Sequence, residues 1–179
     1  MEETMEALQI LIKQGKILAA GVSNFTAEQM LEAQKNILLA SNQVPYSMLK
    51  RDIETTVIPA AITNNIGIIA YSPLERGLLS GKFFKGDALK SSDHRNGYFG
   101  QYNLDHVKSF LEKIEPLAIE KNVSLSQLVL KWTTQQTGIT IVLAGARNKE
   151  QAISNAKAIE VKISDEEMAF INTELAKLH

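Results

Sequence analysis

Short runs of mostly apolar residues alternate along this chain with stretches in which apolar positions return every three or four residues. The first pattern suits strands buried in a parallel sheet and the second suits amphipathic helices. Strands are predicted over Ile17–Val22, Gln43–Tyr46, Ile66–Tyr71 and Thr140–Ala144, and the third, nearly all apolar, reads as buried on both faces. Helices are predicted over Glu2–Gln14, stopped by Gly15, and over residues 26–39, opened by a capping box of Thr26 and Gln29. Others follow at Asp52–Asn64, Leu104–Asn122, residues 124–136, Asn148–Ala158 and Ser164–Leu178. Pro59 either bends the Asp52–Asn64 helix or marks its beginning, and Pro45 suggests that the second strand leaves the sheet there. Ser124 with Gln127, and Ser164 with Glu167, form two further capping boxes. Residues 72–103 hold five of the ten glycines (Gly77, Gly81, Gly86, Gly97 and Gly100) with Asp87, Asp93 and Asn96. That density predicts a long loop, and its place after a polar strand end favours a lid.

Strands that alternate with helices imply an α/β protein with a parallel sheet and right-handed crossovers. Two architectures fit, an open doubly wound sheet or part of a barrel. No Gly-x-Gly-x-x-Gly follows any strand, which counts against the first. Small polar residues gather at the C-terminal ends of the strands, at Ser23-Asn24, Asn42-Gln43, Tyr71-Ser72 and Gly145-Ala146-Arg147. A (β/α) barrel places its ligand-binding groups at those ends.

Composition narrows the function classes. The 179 residues are 45% hydrophobic, enough for one domain with a real core and no internal linker. Nineteen basic and 20 acidic residues are interspersed, with a formal charge of −1, so no basic stripe argues for nucleic acid. Cysteine is absent, which excludes disulfide and thiolate chemistry and is compatible with a reducing cytoplasm. His94, His106 and His179 lack metal-ligand spacing, so no metal site is expected. No apolar run is long enough to span a membrane, and the acidic start is unlike a signal peptide.

Each candidate site residue has a plainer reading beside the functional one. Ser23 and Asn24 are good turn formers, and Gln43 is equally ambiguous. Tyr71 either closes the core with its hydroxyl toward solvent, or offers an aromatic face to a planar ring carrying a carboxamide, such as nicotinamide. Gly145-Ala146-Arg147 enters a helix, where free N–H groups and the helix dipole favour a phosphate. Arg147 would add an ion pair, and Gln151 and Asn155 share one face of that helix. Arg76 and Lys82 would supply positive charge for a pyrophosphate; otherwise all three cations are solvated surface residues.

Three segments carry a family resemblance. Gly15-Lys16 through Gly21-Val22-Ser23-Asn24-Phe25, then Tyr71-Ser72-Pro73-Leu74 through Arg76-Gly77-Leu78-Leu79-Ser80-Gly81-Lys82, then Gly145-Ala146-Arg147 with Gln151 and Asn155, resemble the aldo/keto reductase family. The similarity covers nearly the whole chain and is close to the branch with the potassium-channel β-subunits and bacterial reductases. It implies an eight-stranded barrel that uses NADPH without a Rossmann domain, acting on small aldehydes or ketones. By resemblance, Ser23, Asn24 and Gln43 hold the nicotinamide carboxamide and Tyr71 stacks on the ring. Ser72, Pro73, Leu74, Arg76 and Lys82 line the pyrophosphate. Gly145, Ala146, Arg147, Gln151 and Asn155 bind the adenosine end, with Arg147 a partner for the 2′-phosphate. Ser154 departs from the glutamate many members carry before the last asparagine, which weakens the preference for NADP over NAD.

The resemblance begins after the family's catalytic tyrosine, lysine, aspartate and histidine, so no catalytic residue is assigned. Tyr46, Tyr71, Tyr98 and Tyr102 match no donor motif. The expectation is therefore one aldo/keto reductase domain over residues 1–179, the C-terminal half of a TIM-type barrel with four parallel strands, truncated and inactive alone. Its open edges predict self-association as a homo-oligomer, or pairing with a missing N-terminal half. The alternative is a non-catalytic NADPH-binding, subunit-like regulatory module.

Overall fold

The computed structural model describes residues 1–86 and 92–178; Asp87 and His179, singled out above, lie outside the described residues. Backbone contacts divide the chain into two units, one of residues 1–71 with 136–143 and one of residues 72–135 with 144–179.

The first unit holds all four strands. They are β1 (Ala20–Ser23), β2 (Leu39–Pro45), β3 (Gly67–Tyr71) and β4 (Ile139–Leu143), parallel throughout in the order β1-β2-β3-β4. With them lie α1 (Glu2–Lys13), α2 (Ala27–Gln34) and α3 (Val57–Thr63). Thr26 and Gln29 form the expected capping box. Helix α1 stops at Gly15 in the left-handed region (φ 69°), and α3 stops at Asn65 (φ 55°), a residue whose short amide side chain tolerates that conformation.

Three boundaries move. β1 starts at Ala20 rather than Ile17 because pairing begins at Ala20↔Leu39, and Leu18 is 97% exposed. β2 starts at Leu39, inside the segment expected to be helix, and ends at Pro45 as that proline suggested. The Asp52–Asn64 helix is a 3-10 turn (Asp52–Glu54) followed by α3, with Pro59 in the first turn of α3, where the N–H has no helical partner. Glu54, the last residue of the 3-10 turn, is bound by Tyr46 and Arg51. The Tyr46 hydroxyl donates to its Oε1 at 2.6 Å, and Arg51 grips both carboxylate oxygens.

β3 is buried on one face only. Ile68 and Ala70 are fully buried, whereas Gly67, Ile69 and Tyr71 are half-exposed. The period-2 alternation of a strand sorts even an apolar run into two unlike faces. At Gly138 the chain turns into β4 with φ 84°, and a Cβ there would meet Ile58 at 2.5 Å, so both backbone and space require glycine.

The second unit is helical. It contains α4 (Arg95–Phe99), α5 (Leu104–Glu120), α6 (Leu125–Thr134), α7 (Lys149–Ala156) and α8 (Asp165–Leu175). α5 packs on α6 and α8, and α6 on α7. Trp132 is fully buried, and its indole N–H donates to Asn172 at 2.8 Å. The capping boxes at Ser124 and Ser164 are both made. The segment read as a long loop over residues 72–103 instead carries 3-10 turns at Glu75–Ser80 and Lys82–Lys85, then α4. Its glycines do not leave it shapeless. Gly77, Gly81 and Gly86 each take positive φ and punctuate short turns.

Candidate functional site

In the first unit, four predicted residues converge at the C-terminal ends of three adjacent strands. Ser23 pairs with Gln43 in the β1–β2 register, and Tyr71 closes β3. The Ser23 hydroxyl donates to the Gln43 carbonyl at 3.1 Å, and the Asn24 N–H donates to the same oxygen at 2.9 Å. Asn24 adopts φ 58° as the chain leaves β1. Its Oδ1 accepts from the Tyr71 hydroxyl at 3.0 Å, so that hydroxyl is held by a neighbour rather than left to solvent. The Asn24 amide NH2 and the side chain of Gln43 make none of the hydrogen bonds found among the described residues. Both remain available as amide partners beside an aromatic ring, a chemistry that fits a carboxamide-bearing heterocycle.

Asn42, in sequence only a polar residue near a strand end, arranges this group. Its side chain is fully buried; Oδ1 accepts from the Phe25 N–H at 3.3 Å and Nδ2 donates to the Phe25 carbonyl at 2.9 Å. These bonds tie the loop after β1 onto β2 and so set where Ser23 and Asn24 stand.

In the second unit, the residues after β4 also come together. The Asn155 amide donates to the Gly145 carbonyl at 3.1 Å, and the Gln151 Oε1 accepts from the Arg147 N–H at 2.8 Å. Asn148 caps α7 by accepting from the Gln151 N–H at 2.9 Å. The Arg147 and Gln151 N–H groups, at the helix start expected to favour a phosphate, are thus taken by side chains of the loop and helix. The Arg147 side chain is exposed, as are Gly145 and Ala146.

Arg76 and Lys82 are also exposed, on the 3-10 segment, and no hydrogen bond among the described residues joins them to that set. Ser72 (φ 57°), Glu75 (φ 47°) and Arg76 (φ 53°) all lie in the left-handed region. Such positions cost non-glycine residues of order 1–3 kcal/mol each and persist only where the surroundings enforce them. Pro73 is buried, the Ser72 carbonyl accepts from the Glu75 N–H at 3.0 Å, and the Leu74 carbonyl accepts from the N–H groups of Gly77 and Leu79.

Glu75 was not a sequence candidate. It is 1% exposed, and its Oε2 accepts from the hydroxyls of Tyr98 (2.5 Å) and Tyr102 (2.9 Å). Desolvation first, and then the Glu75 carboxylate, push both tyrosine pKa values above the ordinary range, so both hydroxyls stay protonated. The Arg76 guanidinium lies 3.9 Å from the centroid of the Tyr98 ring. No sequence spacing links a glutamate in a turn to tyrosines 23 and 27 residues later; only the fold does.

The four tyrosines therefore all act as donors within the chain. Tyr46 serves Glu54, Tyr71 serves Asn24, and Tyr98 and Tyr102 serve Glu75. Burial and the Glu54 carboxylate push the Tyr46 pKa up as well. Among the described residues no group of three His, Cys, Asp or Glu side chains could hold a metal ion, and no helix is long and apolar enough to cross a membrane.

Comparison with known proteins gives this arrangement its context. The model of the aldo/keto reductase family matches residues 1–175. The chain belongs to the aldo/keto reductase family. It is 34% identical to the aldo-keto reductase YhdN of Bacillus subtilis over 97% of this chain and 53% of that protein. It is 31% identical to the NADH-specific methylglyoxal reductase of Escherichia coli over 91% of this chain and 50% of that protein. Among solved structures, the glycerol dehydrogenase AKR11B4 of Gluconobacter oxydans superposes with a TM-score of 0.88 at 32% identity, covering 99% of this chain and 54% of that one. The chain thus spans about half the length of the curated relatives it matches. Its four parallel strands and their helices are an aldo/keto reductase α/β fold.

Proposed function

We propose that this aldo/keto reductase chain carries the residues that bind a nicotinamide dinucleotide, NADPH in the first place, and not the group that donates the proton. The observation that carries this reading is the hydrogen-bonded cluster of Ser23, Asn24, Gln43 and Tyr71 at aligned strand ends. Ser23, Asn24 and Gln43 would hold the nicotinamide carboxamide, and Tyr71 would lie against the ring. Ser72, Pro73, Leu74, Arg76 and Lys82 would accompany the pyrophosphate. Gly145, Ala146, Arg147, Gln151 and Asn155 would meet the adenosine end, Arg147 supplying positive charge to the 2′-phosphate.

A bound reduced nicotinamide supplies a hydride to the carbonyl carbon of a small aldehyde or ketone. The oxygen then needs a proton from a positioned donor. Every tyrosine hydroxyl here is committed to an acceptor of the chain, and the relatives are about twice as long. Carbonyl reduction is accordingly assigned to a larger cytoplasmic protein or assembly that brings the donor. The same commitment of the tyrosines favours a second reading, a module that binds NADPH without turnover and acts through a partner.

Titration of the purified chain with NADPH and with NADH, followed by cofactor and Trp132 fluorescence, tests the binding claim. Saturable NADPH binding is expected, and Arg147→Ala should weaken it about tenfold or more while leaving NADH nearly unaffected. Equal loss for both dinucleotides would remove Arg147 from the 2′-phosphate. A folded chain that binds neither would remove the cofactor assignment.

A further inference from the structure

The turn that carries Arg76 is held by a tie from the far side. Its backbone is left-handed at Glu75 and Arg76, conformations that neither residue favours alone. The Glu75 side chain is buried beneath it, with the hydroxyls of Tyr98 and Tyr102 on one carboxylate oxygen. Tyr98 belongs to α4, and Tyr102 follows it within one turn. The two rings meet edge to face, 6.1 Å apart, and Tyr98 also leans on the buried Phe99. The same Tyr98 ring is the surface beneath the Arg76 guanidinium. One aromatic side chain therefore fixes its neighbour's position twice, by a hydrogen bond to the preceding residue and by a face offered to the cation.

We propose that Glu75, Tyr98 and Tyr102 are positioning residues for Arg76. Their hydrogen bonds hold the 75–80 turn in its left-handed form and keep the Tyr98 ring under the guanidinium, so that Arg76 is already poised for the pyrophosphate of the dinucleotide. Arg76 would otherwise be a long, freely rotating surface side chain, and ordering it would weaken binding. The inference rests on the cofactor assignment above and adds residues that touch no ligand.

The test is a cycle of variants measured for NADPH affinity. Tyr98→Phe with Tyr102→Phe removes both hydroxyls and keeps both rings, and it is made in the Arg76 and the Arg76→Ala backgrounds. With Arg76 present, the paired change should raise the Kd about tenfold; with Arg76→Ala, it should add less than twofold. Tyr102→Phe alone, which keeps the Tyr98 bond to Glu75, gives a smaller loss of the same kind and serves if the paired variant does not fold. Trypsin supplies a readout independent of the cofactor: cleavage after Arg76 should be slow in the wild type and faster when the hydroxyls are gone. Equal losses in both backgrounds would show a general effect on stability and overturn the inference. Unchanged affinity and unchanged cleavage would overturn it too. Failure of the wild type to bind NADPH removes the cofactor assignment and the inference with it, whereas binding by a wild type whose cycle is additive removes the inference alone.

Discussion

Asn42 and Glu75 are polar side chains almost without solvent contact, and each is hydrogen-bonded to a separate segment of the chain. A buried amide is tolerated only when its donors and acceptors are matched, and Asn42 matches two of its own to the backbone of Phe25. Asn42→Ala leaves the Phe25 N–H and carbonyl without those partners. It should cost about 2 kcal/mol, visible as a lower melting temperature, and should weaken dinucleotide binding by displacing Ser23 and Asn24. Undiminished stability would mean that water replaces the amide. Ser23, Asn24 and Tyr71 are legible in the sequence because they end apolar runs, whereas Gln43 is marked only by its place in the polar group Ser41-Asn42-Gln43. Glu75 is not, because its partners stand 23 and 27 residues away and no spacing links them to it.

At the scale of elements, the capping signals carried the most reliable local information. All three boxes, at Thr26, Ser124 and Ser164, form with both reciprocal bonds, since the motif needs only residues three apart. The Ser164 box also makes a long-range connection. The Glu167 carboxylate takes an ion pair from Lys121 at the end of α5 (2.6 Å) and the N–H of Ser164 (2.8 Å). Lys121 first, and then that N–H, hold its pKa below the usual glutamate value. A lowered folded pKa contributes stability above the ordinary value of about 4.3, and that contribution is lost as pH falls through the folded value. The melting temperature of the wild type should therefore exceed that of Glu167→Gln at neutral pH, with the gap closing as pH falls below the ordinary glutamate range. A gap that stays constant with pH would assign the difference to packing. Strand and helix boundaries were read less well. Ile17 and Leu18 are apolar but lie outside β1, and Leu39 belongs to β2 rather than to the preceding helix. An apolar run reports burial tendency, whereas a strand begins where a neighbour's backbone comes into register.

For the molecule as a whole, the sheet order leaves β1 and β4 each paired on one side among the described residues. Thr140, Ile141 and Leu143 of β4 are exposed, and an apolar edge of this kind is a template for further pairing. The chain in isolation should self-associate as concentration rises, and Ile141→Lys should shift it toward monomer in sedimentation velocity. A strictly monomeric wild type would show that the edge is protected. The alternation of apolar runs, helical periods and caps was enough to determine a parallel α/β chain with polar strand ends. Those features are local, and each is set by residues within a few positions of one another. The tertiary structure alone decided where pairing starts, which face of β3 is covered, and that all four tyrosine hydroxyls are taken by acceptors of the chain. It also decided that the glycine-rich segment carries 3-10 turns over residues 75–85, with Glu75 buried against tyrosines that come from α4 and the turn after it. These depend on groups far apart in the chain, 47 residues for Tyr71 and Asn24 and 72 for Ile68 and Thr140, and no period in the sequence encodes a meeting at that range.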